Sequence, residues 1–362
     1  MRRKPRRYPA YLLWYNCTVR AERDRAAGSF AEEPSRRQRF QVLALDGGGV
    51  RGIFSAALLS GLEADLGSSV LDHFDLVVGT STGGIIALGL GAGLRPEDMV
   101  EFYVSEKDRI FADRLGWRSL RRLFLAKYQP KGLEMALRRV FGAKLLGESR
   151  VPLVIPAYNI GENDVYLFKT PHHPRLRRDH TVPMWVVAMA TSAAPTFFPA
   201  FRLPADQVRL VDGGVWANNP AMVGVTEAVS MFGCRPGDVR VLNIGTTSGV
   251  RTRHSRLDNG GLIRWLRGPN VIDVLMRGQS VGAFAQVQHL ILRENAHRLD
   301  PPAPAELARL DACDPKELIA KASHHSRVFS PTFDEVFGSH VPPPYVPLYG
   351  PMAKEASTHA DD

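Results

Sequence analysis

The chain has 362 residues, 44% of them apolar, enough to bury a large core. No apolar run approaches the ~20 residues of a membrane span, so any membrane contact is expected to be peripheral. The formal charge of +9 is uneven: residues 1–40 carry 11 Lys and Arg against 4 Asp and Glu, a balance of +7, and the rest only +2. The body is therefore not a generally basic nucleic-acid binder. Cys17, Cys234 and Cys313 follow neither disulfide nor zinc spacing, and no metal ligand set is visible, so a reducing cytoplasm is the simplest setting.

Residues 1–38 open with Met1-Arg-Arg-Lys-Pro-Arg-Arg7 and a short apolar patch, Tyr11–Tyr15, too short for a secretory signal. They are expected to be a poorly ordered basic arm, or an extension translated from an early start codon. The competing reading is a tether for an anionic membrane or nucleic acid. The folded body is expected to start near Phe40. Gln41–Leu45 reads as a strand, Asp46-Gly-Gly-Gly-Val-Arg-Gly52 as a glycine-rich turn, and Ile53–Leu66 has helical spacing. Residues 76–78 form a second buried strand, followed by Gly79-Thr-Ser-Thr-Gly83 and an apolar helix, Ile85–Leu90. This βαβα pattern predicts a parallel sheet covered by helices.

A serine in G-x-S-x-G between strand and helix stands on a sharp turn with its hydroxyl exposed, at a helix end that favours negative charge. Ser81 is thus a candidate nucleophile; the alternative is a helix cap.

Residues 96–150 read as mostly helical, and Trp117–Leu125 is basic and aromatic at helical period, either a packed surface helix or a membrane-surface one. Val151–Asn159 and Tyr166–Phe168 read as strands. His172, His173 and His180 lie in a Pro- and Arg-rich loop without metal spacing. Apolar Val182–Ala190 leads into a small-residue turn; Ser192 there lacks the G-x-S-x-G frame and is assigned a structural role. Arg209–Val211 reads as a strand running into Asp212-Gly-Gly214, with a helix over Ala221–Phe232 and a strand over Val239–Ile244. Gly260 to about Arg298 reads as helical, and the Pro-rich tail after Asp300 as loosely attached.

Three glycine-bearing turns, Gly47–Gly52, Gly79–Gly84 and Asp212–Gly214, each follow an expected strand and would converge on one crevice. Activating a serine needs a base, and Asp212 is the candidate, although Asp before Gly also forms plain turns. The N–H groups of Gly47, Gly48 and Gly49 would hold an oxyanion, while Arg51 would orient that loop or meet a phosphate. None of the histidines sits in a recognisable frame, which favours a Ser–Asp dyad over Ser-His-Asp.

Asp46-Gly-Gly-Gly-Val-Arg-Gly52, Gly79-Thr-Ser-Thr-Gly83, Asp212-Gly-Gly214, Ala190-Thr-Ser-Ala-Ala-Pro-Thr196 and Ala217-Asn-Asn-Pro220, in this order, resemble the patatin-like phospholipases. The resemblance spans about residues 40–250. It implies a three-layer α/β/α fold with a mostly parallel sheet, a Ser81–Asp212 dyad, an oxyanion loop at Gly47–Gly49, and cleavage of lipid esters without metal or cofactor. The wider pattern, including Phe168-Lys-Thr-Pro-His-His173 and Gly278-Gln-Ser280, resembles bacterial patatin effectors of anti-phage systems. That implies a cyclic dinucleotide activator and phospholipid at the inner face of the cell membrane as substrate, in a cytoplasmic protein that needs no nucleic-acid polymer. Oligomerisation is left open. The expected organisation is an arm over 1–38, a catalytic core over 39–250, and a helical extension over 251–362 packed on the core, with a loose tail.

Two other readings compete. Gly47-x-Gly49-x-x-Gly52 after a strand is a dinucleotide fingerprint, which would make the chain an oxidoreductase, but the next strand ends on Ser81 rather than on the acid that would hold a ribose. A non-enzymatic or conditionally active sensor, held inactive until a partner or nucleotide binds, is the other.

Overall fold

The computed structural model describes residues 39–111, 126–203, 208–249, 270–304, 314–351 and 353. The basic arm 1–38, the Trp117–Leu125 segment and residues 260–269 lie outside the described residues.

The first half follows the hydrophobic pattern closely. Strand β1 (Phe40–Leu45) leads through a short 3-10 turn, Gly49–Arg51, into helix α1 (Gly52–Leu66). Strand β2 (Leu76–Gly79) is followed by α2 (Thr82–Gly91), then α3 (Pro96–Ile110) and α4 (Pro130–Phe141). The glycines between β2 and α2 are sterically required: a Cβ on Gly79 would sit 2.3 Å from the Gly83 carbonyl, and one on Gly83 would sit 2.3 Å from the Leu45 carbonyl. Only glycine lets α2 start this close to the end of β1.

The hairpin β3 (Leu153–Asn159) and β4 (Asp164–Lys169) comes next, then α5 (Met184–Thr191), β5 (Phe201–Arg202), β6 (Arg209–Asp212) and the single turn α6 (Gly214–Ala217). Helix α7 (Ala221–Ser230), β7 (Val239–Ile244), β8 (Ser248–Gly249), α8 (Asn270–Leu290), β9 (Ala296–Leu299), β10 (Pro302–Ala303) and α9 (Pro315–Phe333) complete the described elements.

The main sheet pairs in the order β5-β6-β3-β2-β1-β7-β9, with β4 also on β3. Strands β3, β2, β1, β7 and β9 run parallel; β4 and β6 are antiparallel to β3. Strand β1 alternates cleanly: Leu43 and Leu45 enter the core under α1, α2, α3, α5 and α9, and Phe40, Val42 and Ala44 the core under α7 and α8. A parallel sheet buried on both faces is what these apolar strands require.

Two parts differ from the pattern-based expectation. The helical reading of 260–298 fails at its end. Helix α8 stops at Leu290, Leu292 turns with φ of 77°, and Ala296–Leu299 becomes β9 on the open edge of β7. The sheet thus continues beyond residue 250, and the described residues form one compact unit from Arg39 on. The segment after Asp300 is not loosely attached where it is described. Helix α9 packs on α1, burying Leu318, Ala322, Phe329 and Phe333, and Phe337 follows them into the core. Further on, Leu348 N–H donates to the Pro171 carbonyl at 2.9 Å, and Tyr349 stacks near His180. Apolar and aromatic spacing outweighs the prolines there, because proline breaks helices without preventing extended chain from packing.

Candidate active site

The site forms where two strands meet end to end. Strand β4 occupies one edge of β3 over Val154–Asn159, so β2, paired at Leu153 and Val154, and β6, paired at Ala157–Asn159, share the other. They run in opposite senses, and their C-terminal ends face each other across a short gap. Ser81 follows β2 and Asp212 ends β6. Ser81 Oγ donates to Asp212 Oδ2 at 2.6 Å.

Ser81 has φ 54° and ψ −121°, a left-handed conformation that an L side chain adopts only under constraint. Its N–H donates to Thr191 Oγ1 at 2.9 Å and its carbonyl accepts from Ile85 N–H at 3.0 Å. The hydroxyl is thereby turned out of the α2 N-terminus toward Asp212. Asp212 is 5% exposed. Its N–H donates to the Ala193 carbonyl at 3.0 Å, and its Oδ1 accepts from Gly214 N–H at 2.6 Å. Burial pushes the carboxyl up to about 6, against the pull of the hydrogen bonds from Ser81 and Gly214.

The glycine-rich loop stands beside Ser81, with a division of labour that its sequence does not show. Gly47 N–H donates to the Asn218 carbonyl at 2.9 Å, so that amide is engaged within the protein rather than open to an oxyanion. Gly48 and Gly49 border the cavity with Ser81. Arg51 braces the loop: its guanidinium donates to the Gly48 carbonyl at 3.2 Å and the Thr247 carbonyl at 2.7 Å. Gly52 packs on Thr82 at the start of α1, and Gly213 against Pro156. The dinucleotide reading loses its basis here, since Gly47 N–H is used internally and β2 leads into the Ser81–Asp212 pair.

The cavity holds about 250 Å³. Ser81, Asp212, Gly48 and Gly49 form its polar end, and Ile85, Phe111, Leu133, Phe197, Phe198 and Leu275 belong to its apolar wall. A serine hydroxyl bonded to a carboxyl of raised pKa beside an apolar wall is an arrangement that suits attack on the carbonyl of an ester with an apolar acyl chain. Among the described residues no helix is long and apolar enough to cross a membrane.

Sequence reasoning missed two groups. Thr191 lies in the small-residue turn, where only Ser192 is given a role, yet its hydroxyl accepts from Ser81 N–H. The second is a buried polar network behind the glycine loop. Asn218 Nδ2 donates to Ser280 Oγ at 3.0 Å, Asn219 N–H to Gln279 Oε1 at 3.0 Å, and Asn219 Nδ2 to Asn243 Oδ1 at 2.8 Å. Asn243 Nδ2 donates to Asp46 Oδ1 at 2.7 Å. Arg298 from β9 meets both Asp46 and Asp300, at 2.8 and 2.9 Å, and Arg277 from α8 meets Asp300 at 2.7 Å. Burial raises the Asp46 carboxyl above its ordinary value against the pull of Arg298. The Gly278-Gln-Ser280 motif thus reaches the glycine loop through Asn218 and Asn219. The advance signals were the Ala217-Asn-Asn-Pro220 and Gly278-Gln-Ser280 motifs, neither of which names its partner.

The histidine loop is elsewhere. His172 Nε2 lies 2.9 Å from Glu227 Oε1, and the ring stacks on Phe232 at 4.9 Å. Lys169 also reaches Glu227, and burial holds the imidazole below its ordinary pKa. The group ties β4 to α7.

The family model of patatin-like phospholipases matches residues 43–225, which include both Ser81 and Asp212. A protein of Pseudomonas aeruginosa named cGAMP-activated phospholipase is 34% identical over 280 residues, covering 75% of this chain and 80% of its own. A protein of the same name from Vibrio cholerae is 33% identical over 231 residues, covering 58% of this chain and 65% of its own. Patatin-like protein 4 of Arabidopsis thaliana is 32% identical over 244 residues, covering 59% and 61%. On this family match and these relatives, the chain belongs to the patatin-like phospholipases, hydrolases of lipid esters.

Proposed function

We propose that Ser81 and Asp212 are the catalytic dyad of this phospholipase, that its substrates are fatty-acyl esters of membrane phospholipids, and that a cyclic dinucleotide activates it. The observation that carries the dyad is the 2.6 Å hydrogen bond from Ser81 Oγ to a buried carboxyl at the polar end of an apolar cavity. Asp212 takes the hydroxyl proton as Ser81 Oγ attacks the ester carbonyl. The N–H groups of Gly48 and Gly49 hold the oxyanion, while Gly47 anchors their loop to Asn218. Asp212 passes the proton to the departing lyso-lipid oxygen. It then takes a proton from the attacking water and returns it to Ser81 as the fatty acid leaves. A carboxyl raised to about 6 is a stronger base than an ordinary one and is still ionised at neutral pH.

Activation by a cyclic dinucleotide is supported by the relatives that carry it in their name, one of which aligns over three quarters of this chain. We place the protein in the cytoplasm, peripheral at the inner face of the cell membrane, as an effector of anti-phage defence.

The test is fatty-acid release from mixed phospholipid vesicles by wild type and Ser81→Ala, each with and without a panel of cyclic dinucleotides. Release that needs both Ser81 and one nucleotide supports the whole reading. Ser81-dependent release without any nucleotide removes the gating and leaves a constitutive hydrolase. Full release by folded Ser81→Ala overturns the dyad.

A further inference from the structure

The two members of the dyad are 131 positions apart, yet one short stretch touches the backbone of both. At the C-terminal end of α5, Thr191 Oγ1 accepts from Ser81 N–H at 2.9 Å, and two residues later the Ala193 carbonyl accepts from Asp212 N–H at 3.0 Å. Thr191 is fully buried, and its hydroxyl donates to the Pro156 carbonyl at 2.6 Å. Pro156 lies on β3 between the residues that pair with β2 and those that pair with β6, at the gap where Ser81 and Asp212 meet.

We infer that Thr191 is a positioning residue for the hydrolysis, holding Ser81 in its left-handed conformation with Oγ aimed at Asp212. A threonine hydroxyl has one hydrogen. Here it goes to Pro156, so the oxygen faces Ser81 N–H as an acceptor only. Two consequences follow. Ser81 N–H is occupied and takes no part in binding the oxyanion. The strained backbone is held through a side chain rather than through a regular ladder, because Ser81 lies past the last β2 residue and before the first α2 residue, where neither element supplies an acceptor for its N–H. With the hydroxyl removed, a buried donor and a buried acceptor lose their partner together, and the turn is free to relax.

The inference rests on the proposed Ser81–Asp212 dyad, so Ser81→Ala is run alongside. Thr191→Val keeps the shape and removes the hydroxyl; Thr191→Ser keeps the hydroxyl and removes the methyl; Thr191→Ala removes both. The readouts are kcat and KM for fatty-acid release in detergent–phospholipid micelles under conditions where wild type turns over, the pH profile of kcat, and the rate of Ser81 labelling by a fluorophosphonate. Thermal unfolding reports whether each variant is folded.

Thr191→Val is expected to lower kcat and the labelling rate by about 10- to 100-fold, the scale of a ~1 Å misplacement of a reacting group, with KM nearly unchanged. Thr191→Ser is expected to stay close to wild type. A loosened Ser81–Asp212 bond also withdraws one of the hydrogen bonds that hold the Asp212 carboxyl down, so the acid midpoint of the Val variant moves to higher pH. A purely structural role would not move that midpoint.

If Thr191→Val does not fold, Thr191→Ala against Thr191→Ser decides in the same way, since the two differ only by the hydroxyl. Wild-type kcat in a folded Val or Ala variant overturns the inference. So does a folded Ser variant as slow as the Val one, which would make the methyl the important group. An active, folded Ser81→Ala protein overturns the dyad itself, a separate outcome.

Discussion

Ser81 Oγ and Asp212 Oδ2 are 2.6 Å apart because β2 and β6 approach each other head to head along one edge of β3. Neither strand could place its residue there alone. The pair is enclosed by the Thr191 and Ala193 contacts on one side and the Gly48–Gly49 loop on the other.

The pH dependence of the reaction follows from the buried carboxyl. As the proposed base, Asp212 acts only when ionised, and burial raises its carboxyl to about 6. Single-turnover deacylation is expected to rise with pH through about 6 and to level off above it. A rate flat from acid to alkaline pH would show that Asp212 is not the titrating base.

The same shift has a cost in stability. The folded pKa lies above the unfolded one, so folding favours the protonated acid. That contribution is fully present below the unfolded value of about 4 and is lost as pH rises through about 6. At neutral pH, ionised and buried Asp212 opposes folding by on the order of 2–3 kcal/mol. Asp212→Asn is therefore expected to be inactive yet to melt at a higher temperature than wild type at neutral pH, with the gain vanishing near pH ~4. Calorimetry at the two pH values checks this, and a less stable Asn variant at neutral pH would refute it.

Gly48 has no room for a side chain. A Cβ there would lie 2.0 Å from Thr246 Oγ1 and 2.5 Å from Thr246 Cβ. Gly48→Ala must push the loop away from β7 and carry its N–H groups out of line. Catalysis is expected to fall by about 10²-fold or more, the scale of losing an oxyanion donor. The stability loss should be only ~1–3 kcal/mol, as for overpacking. Kinetics and urea melts of the same preparation separate the two.

Arg298 neutralises a buried pair of acids, Asp46 and Asp300, and Asp46 is the residue before the glycine loop. Arg298→Met leaves both acids facing each other with less compensation. A loss of about 3–5 kcal/mol is expected, typical of breaking a buried ion pair from one side. Asp46 is then more easily protonated, so the deficit should shrink as pH falls. Denaturant melts at neutral and acid pH measure it.

Much of the scaffold was legible in the chain. The expected strand Gln41–Leu45, helix Ile53–Leu66 and strand 76–78 agree with β1, α1 and β2 to within a residue. These are local decisions, made by apolar period and by glycines at turns that leave no room for a Cβ. The Ser81 elbow belongs to the same class. Strand β9 was not legible, because Ala296–Leu299 continues a helical pattern and becomes a strand only because β7 offers an open edge. The contacts of Gly47 and Thr191 were hidden for a related reason: each depends on a carbonyl or hydroxyl from a distant segment.

The sequence by itself determined the turns, the apolar layers and the residue types that chemistry needs, since these depend on neighbours within a few positions. Tertiary structure decided which of them meet. Asp212 reaches Ser81 through an antiparallel strand paired to β3, the Gly47 amide is taken up by the Asn218 carbonyl, and the Ser81 N–H by the Thr191 hydroxyl. Hydrogen-bond partners across more than a hundred residues are set by how sheets and helices pack, and no spacing along the chain encodes that distance.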